Sequence, residues 1–173
     1  YGAEQPAPLP PPSCMSFLPF GAPTARPNTT TICRTAYMVN DDPVAKIPVW
    51  VAYSLQPATA ISCLPRDDAF APDLSLQKGY RAELVDYQKS GYDQGHLAPN
   101  ADMSISAQAA KESFLLSNMS PQLPGVNRGI WKQLESSVRA WAFTQKHPMT
   151  VYAGDIWTSQ SKTIGPDKVV VPD

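Results

Sequence analysis

The chain has 173 residues, 43% of them hydrophobic, with 14 basic side chains against 15 acidic ones and a formal net charge of −1. That length suits one compact domain able to bury its own core. The near-neutral balance excludes the global basic field that drives stoichiometric binding to a phosphate backbone, and no apolar run reaches the roughly 18 to 20 residues needed to cross a bilayer, so no membrane partner is expected.

In chain order, residues 5–12 read Gln-Pro-Ala-Pro-Leu-Pro-Pro-Pro. Proline offers no backbone donor, which predicts an extended stretch. Residues 1–29 are therefore read as a proline-rich arm ahead of a domain at 30–173. Thr31–Val39 and Ile47–Ser54 are β-branched and aromatic runs separated by the turn signal Asp41-Asp42-Pro43, and they predict paired strands. Residues 56–79, punctuated by Pro57, Pro65, Pro72 and Gly79, predict a long functional loop carrying Arg66. Residues 83–89 suggest a short strand turning at Ser90-Gly91. Helices are expected at about 104–117 and 127–145, the second from the helical spacing of Ile130, Trp131, Leu134, Val138, Trp141 and Ala142. Residues 151–157 suggest a further strand, and Val169-Val170-Val171 reads as the start of another, which suggests a domain continuing beyond residue 173.

The cysteines at 14, 33 and 63 are too few for a disulfide scaffold and lack close zinc spacing. Cys14 with Cys33 is the favoured bridge, since it would tie down the arm, at roughly 3 kcal/mol of stabilisation; three free thiols are the alternative. No basic n-region with an apolar stretch opens the chain, so an exported protein would be read here after removal of its signal peptide.

His96 and His147 are the two histidines. His147 precedes Pro148 at a helix end, where a cation favours the helix dipole, and reads as structural. His96 lies in Asp93-Gln94-Gly95-His96-Leu97-Ala98-Pro99. Downstream come Phe114-Leu115-Leu116-Ser117-Asn118-Met119-Ser120-Pro121-Gln122 and Asn127-Arg128-Gly129-Ile130-Trp131-Lys132-Gln133-Leu134-Glu135. These three motifs, in this order, resemble the DNA/RNA non-specific endonuclease family. The likeness extends more weakly to Pro48-Val49-Trp50-Val51-Ala52-Tyr53 and to Arg66-Asp67-Asp68-Ala69-Phe70.

The resemblance implies an α+β fold of the ββα-metal type, with a central antiparallel sheet and flanking helices. It further implies a magnesium-dependent endonuclease acting on DNA, with RNA as a second substrate class and manganese able to substitute. By that likeness His96 is general base, Asn127 the metal ligand, Glu135 a holder of metal-bound water, Arg66 a phosphate clamp, and Asn118 and Gln122 orienting groups. Asp93 would support the hairpin or the metal's water shell.

The chemistry suits those residue types. Phosphodiester hydrolysis needs an activated water, neutralised phosphate charge and a stabilised leaving oxygen. An unperturbed imidazole titrates near 6.5 and can accept the water proton. One carboxamide oxygen suffices for Mg²⁺, which keeps most of its waters. Capping a helix is the bland role for Asn127. On a regular helix Glu135 would sit about 12 Å along and about 80° around from Asn127, which argues for contact through water; its bland role is an ion pair with Arg139 at i+4. An arginine in a loop, Arg66 included, is ordinarily solvated.

Gln94 departs from the family, which usually carries arginine there. That lost charge motivates the alternative reading, a non-catalytic nucleic-acid-binding or interaction domain on the same fold. The chain contains no Gly-x-Ser-x-Gly elbow for a serine hydrolase, and the two histidines lack zinc spacing. Asn28-Thr29-Thr30 and Asn118-Met119-Ser120 are glycosylation sequons; a glycan on Asn118 would block the expected site, so Asn118 is expected unmodified. A secreted or periplasmic protein is the expected setting.

Overall fold

A computed structural model of the chain describes residues 12–24, 26–58 and 64–173. The proline run at 5–11 and Cys63 lie outside the described residues. The fold is α+β.

Its centre is a four-stranded antiparallel sheet in the order β1-β2-β3-β6, formed by Thr30–Cys33, Tyr37–Asp42, Ile47–Leu55 and Met149–Gly154. Alternation along β2 and β3 sends side chains to opposite faces, and here both faces are buried. Val39, Val51, Tyr53 and Leu55 pack with Leu97, Met103, Ala109 and Ala142 on one side. Met38, Trp50 and Ala52 pack with Leu18, Tyr87, Met119, Trp157 and Ile164 on the other. Each large side chain so buried contributes about 1.5–3 kcal/mol.

The single strand expected over 31–39 is instead a hairpin. Arg34 turns out of the ladder to pair with Asp73, and the Thr35 N–H donates to the Glu112 carboxylate at 2.7 Å. Partners distant in sequence thus override the β-branched run. Within the stretch read as an arm, Cys14 and Leu18 are buried in the core. Cys14 is disulfide-bonded to Cys33, with Cα atoms 5.9 Å apart, as expected.

Residues 83–89 do not form a strand. Leu84–Tyr87 is a helical turn, α1, because the Asp86 carboxylate accepts the Glu83 N–H at 2.8 Å in a capping box and also the Asp167 N–H at 2.9 Å. Gly165 sits so close to Asp86 that a Cβ there would come within 2.2 Å of its Cα. The stretch 104–117, expected as one helix, holds α3 (Ala107–Ser113) and the start of a 3₁₀ turn at Leu116–Asn118, and a separate helical turn, α2 (Asn100–Met103), precedes it. Ser106 starts α3 by accepting the Ala109 N–H at 3.1 Å.

Strands β4 (Asp93–His96) and β5 (Met119–Gln122) form a separate antiparallel pair with Asp93 opposite Gln122 and His96 opposite Met119. A helical segment at Val126–Trp131, kinked at Gly129, then leads into α4, Lys132–Gln145. This is the ββα arrangement. A last antiparallel pair, β7 (Thr163–Ile164) with β8 (Val169–Val170), closes the described chain.

The long loop after β3 is held down rather than free. Ala71 bridges Leu115, and Asp73 accepts from Arg34, from Ser75 and, at 2.6 Å, from the Ser117 hydroxyl. Among the described residues no helix is long and apolar enough to cross a membrane.

Candidate active site

A cavity of about 840 Å³ opens where the β4–β5 hairpin, the start of α4 and the loop after β3 meet. Of the residues singled out from the sequence, Arg66, Asp93, Gln94, His96, Asn127 and Glu135 line it together. Asn118 and Gln122 do not.

His96 ends β4 and is 8% exposed. Its ring packs in a triad with Phe70 and Phe114, with centroids 5.7 and 5.1 Å away and the two phenylalanines 5.1 Å from each other, and its carbonyl accepts the Trp131 indole N–H at 3.0 Å. Nε2 has no hydrogen-bond partner. Burial, then the neighbouring Arg66, pushes the imidazole down to about 3, opposed weakly by Asp68. The expectation of an unperturbed ring near 6.5 is thereby corrected, because the aromatic walls remove the water that would stabilise the cation. The ring is neutral at ordinary pH. An anion bound nearby would raise its basicity.

Asn127 does not cap its helix. Gly125 occupies the cap position, and the Asn127 Nδ2 donates instead to Asp93 Oδ2 at 3.0 Å. That bond commits the nitrogen and leaves the carbonyl oxygen as an acceptor. Asp93 also receives Arg128 in a two-pronged pair, with Nε and Nη2 each at 2.7 Å. The arginine and, less strongly, Asn127 hold the Asp93 carboxyl below its ordinary value against the opposing effect of burial. One carboxylate therefore ties the hairpin to the helix start.

Glu135 shares the cavity with Asn127 despite the 80° offset of a regular helix. Within Val126–Trp131, Gly129 has non-helical angles, φ −106° and ψ −105°, and kinks the chain. Regular helix phasing does not carry across that kink, and both residues line the cavity. The pair with Arg139 does not form, since Arg139 Nη1 donates to Asp102 Oδ1 at 2.6 Å. Burial lifts the Glu135 carboxyl to about 7, with Asp102 adding to the rise and Arg139 opposing it.

Arg66 Nε pairs with Asp68 Oδ1 at 2.5 Å, and the guanidinium lies 5.4 Å from the Phe114 ring centroid. Its side chain stays 56% exposed and open to a ligand. Asn118 is fully buried. It accepts the Ala98 N–H at 2.9 Å and donates to the Ala98 and Ser113 carbonyls at 2.9 Å each. Gln122 packs over Gly95, where a Cβ would meet its Cδ at 2.3 Å, so any larger residue there would have to displace the Gln122 side chain. His147 is exposed beyond α4.

The sequence matches the DNA/RNA non-specific endonuclease family over residues 17–173. The chain belongs to that family. It is 36% identical over 138 residues to a nuclease of Syncephalastrum racemosum, covering 76% of this chain and 42% of that protein. It is 35% identical over 150 residues to the mitochondrial nuclease EXOG of Danio rerio, covering 80% and 43%. With human mitochondrial endonuclease G it shares 35% over 108 residues, covering 62% and 36%. The chain thus spans less than half the length of these curated relatives. A crystal structure of an EndoG/EndoGI complex superposes with a TM-score of 0.83 at 25% identity, over 95% of this chain and 71% of the other.

In this family member no group of three or more His, Cys, Asp or Glu side chains converges among the described residues. Such a donor set does not suit zinc. It does fit a hard cation that keeps most of its waters, held by one carboxamide oxygen and a nearby carboxylate. The Asn127 oxygen and the Glu135 carboxyl, both on the cavity, are the two groups that could hold one.

Sequence reasoning assigned no role to Arg128, Lys132, Phe70 or Phe114, and gave Arg139 only the ion pair with Glu135 that does not form. Arg128 and Lys132 were legible only as cations one and five places after Asn127. The aromatic pair, one from the loop and one from the end of α3, had no sequence signal linking it to His96.

Proposed function

We propose that this chain carries the catalytic centre of a magnesium-dependent endonuclease that hydrolyses phosphodiester bonds of DNA, and of RNA as a second substrate, without sequence preference. The observation that supports this most is that a neutral imidazole, whose Nε2 has no hydrogen-bond partner, and an anchored carboxamide line one cavity. Contacts to phosphate and sugar carry no base information, and no recognition helix lines the cavity.

In this reading a water oxygen attacks phosphorus in line, its proton passes to His96, and the bond from phosphorus to the 3′ oxygen breaks, leaving a 5′-phosphate. Arg66 holds the phosphate oxygens, to which a planar guanidinium is well matched. Asp93 keeps the Asn127 oxygen aimed by holding its nitrogen, and Glu135 orients bound water. A magnesium ion on Asn127 and Glu135 would supply charge neutralisation at the phosphate and the leaving oxygen. Manganese substitutes in the same oxygen site. The Cys14–Cys33 disulfide supports a secreted or periplasmic setting over a reducing one.

The test is nicking of supercoiled plasmid with magnesium and with chelator, for the parent and His96→Ala. The expected result is chelator-sensitive nicking whose turnover falls roughly 10²- to 10⁴-fold in the variant, with DNA affinity little changed. Equal turnover in His96→Ala refutes the mechanism. DNA binding without any nicking by the parent would favour the non-catalytic alternative that Gln94 motivates.

A further inference from the structure

The cavity is larger than the proposed chemistry requires. A water occupies about 30 Å³ in the liquid, so a hydrated cation with one phosphate takes on the order of 250 Å³ of the roughly 840 Å³ present. The cavity lining also includes Leu84 and Tyr87 of α1, Gln88 just after it, and Tyr92. Tyr92 directly precedes Asp93, the residue that anchors Asn127 and Arg128. An aromatic residue therefore lines the same cavity as Arg66, His96 and Asn127.

This wall is built to stay in place. Ser90 Oγ donates to the Tyr87 carbonyl at 2.9 Å and accepts the Tyr92 N–H at 3.1 Å, which pins the turn between them. Asp86 fixes α1 from behind through its bonds to Glu83 and Asp167. Tyr92 is partly buried against the core, while Leu84 remains 39% exposed at the mouth. An aromatic and an aliphatic surface held rigid beside an anion site lose little entropy on binding a flat apolar ring.

We propose that Tyr92, with Leu84 on the same cavity, is a nucleobase-stacking subsite that makes the enzyme favour single-stranded over duplex nucleic acid. Paired bases keep their faces against one another and cannot use the platform, whereas an unpaired base next to the bound phosphate can. Base–aromatic stacking is sequence-tolerant, which agrees with cleavage that ignores sequence. The inference rests on the nuclease reading above for its effect on turnover, but not for binding.

The test compares kcat/KM on a single-stranded oligonucleotide and on its duplex for the parent, Tyr92→Ala, Tyr92→Phe and Leu84→Ala, each checked for an unchanged unfolding midpoint. The expected result is a roughly ten-fold fall in the single-strand to duplex ratio for Tyr92→Ala, carried by KM, a smaller fall for Leu84→Ala, and rescue by Tyr92→Phe. In parallel, equilibrium binding of the same oligonucleotides and of an abasic strand is measured in chelator. There the parent prefers the base-bearing strand, and Tyr92→Ala removes that preference. An unchanged ratio in an active Tyr92→Ala, or equal binding of abasic and base-bearing strands by the parent, overturns the subsite. Absence of cleavage by the parent, with the binding preference intact, removes the nuclease reading and leaves the subsite standing. Should Tyr92→Ala fail to fold, Tyr92→Leu replaces it, keeping the bulk while removing the aromatic face.

Discussion

Asn118→Ala separates bracing from chemistry at a position where the motif resemblance implies a role beside the metal and histidine. The side chain makes three buried hydrogen bonds at 2.9 Å, one to the Ala98 N–H and one each to the Ala98 and Ser113 carbonyls. Removing it strands one donor and two acceptors without water. An unsatisfied buried group costs about 1–3 kcal/mol, with carbonyls at the low end, so the loss should be about 4 kcal/mol. That is a large part of the 5–15 kcal/mol typical of a domain, and it lowers the melting temperature by about 10 °C. Denaturant unfolding followed by tryptophan fluorescence reads the stability, and plasmid nicking well below the midpoint reads turnover per folded molecule. Turnover should stay within about ten-fold of the parent, since nothing on Asn118 reaches the cavity. A variant that unfolds like the parent yet has lost 10³-fold or more in turnover would refute this reasoning.

Replacing Cys14 and Cys33 together by serine should cost about 3 kcal/mol, because the bridge closes a loop with a sequence separation of 19; a reductant that leaves the parent's unfolding midpoint unmoved would contradict this. Asn127→Ala should raise the magnesium concentration needed for half-maximal nicking at least ten-fold with little change in stability, because Asn127 does not cap the helix; an unchanged titration removes it from the metal site. Burial lifts the Asp155 carboxyl to about 7, opposed by the Ser120 hydroxyl, which donates at 2.9 Å. A folded value above the unfolded one means that this residue's contribution is full below pH 4 and is lost as pH rises through 7. Asp155→Asn should therefore stabilise the protein at pH 8, by up to roughly 4 kcal/mol, and not at pH 4. A constant difference between variant and parent across that range would rule this out.

Much of the frame was legible. The β-branched run ending in Ser54 is the central strand, the Asp93 to His96 motif is one arm of a hairpin, and the apolar spacing after residue 130 is helix α4. Local pattern failed where a distant partner sets the backbone. Arg34 and Asp73 bend one expected strand into a hairpin, and Asp86, held by Asp167, turns another into a helix. Ideal helix arithmetic separated Asn127 from Glu135, but the chain is kinked at the non-helical Gly129 and both line one cavity.

The order of residues determined which reactive groups this protein owns: an imidazole, a carboxamide and a carboxylate in a fixed sequence relation, with a glycine where the hairpin must be thin. Tertiary structure alone decided what those groups can do. Phe70 and Phe114 make His96 a neutral ring, Asp102 takes Arg139 away from Glu135, and Asp93 turns the Asn127 oxygen free. Charge state and orientation depend on solvent exclusion and on partners up to 37 positions away, and neither is encoded in the spacing of a motif.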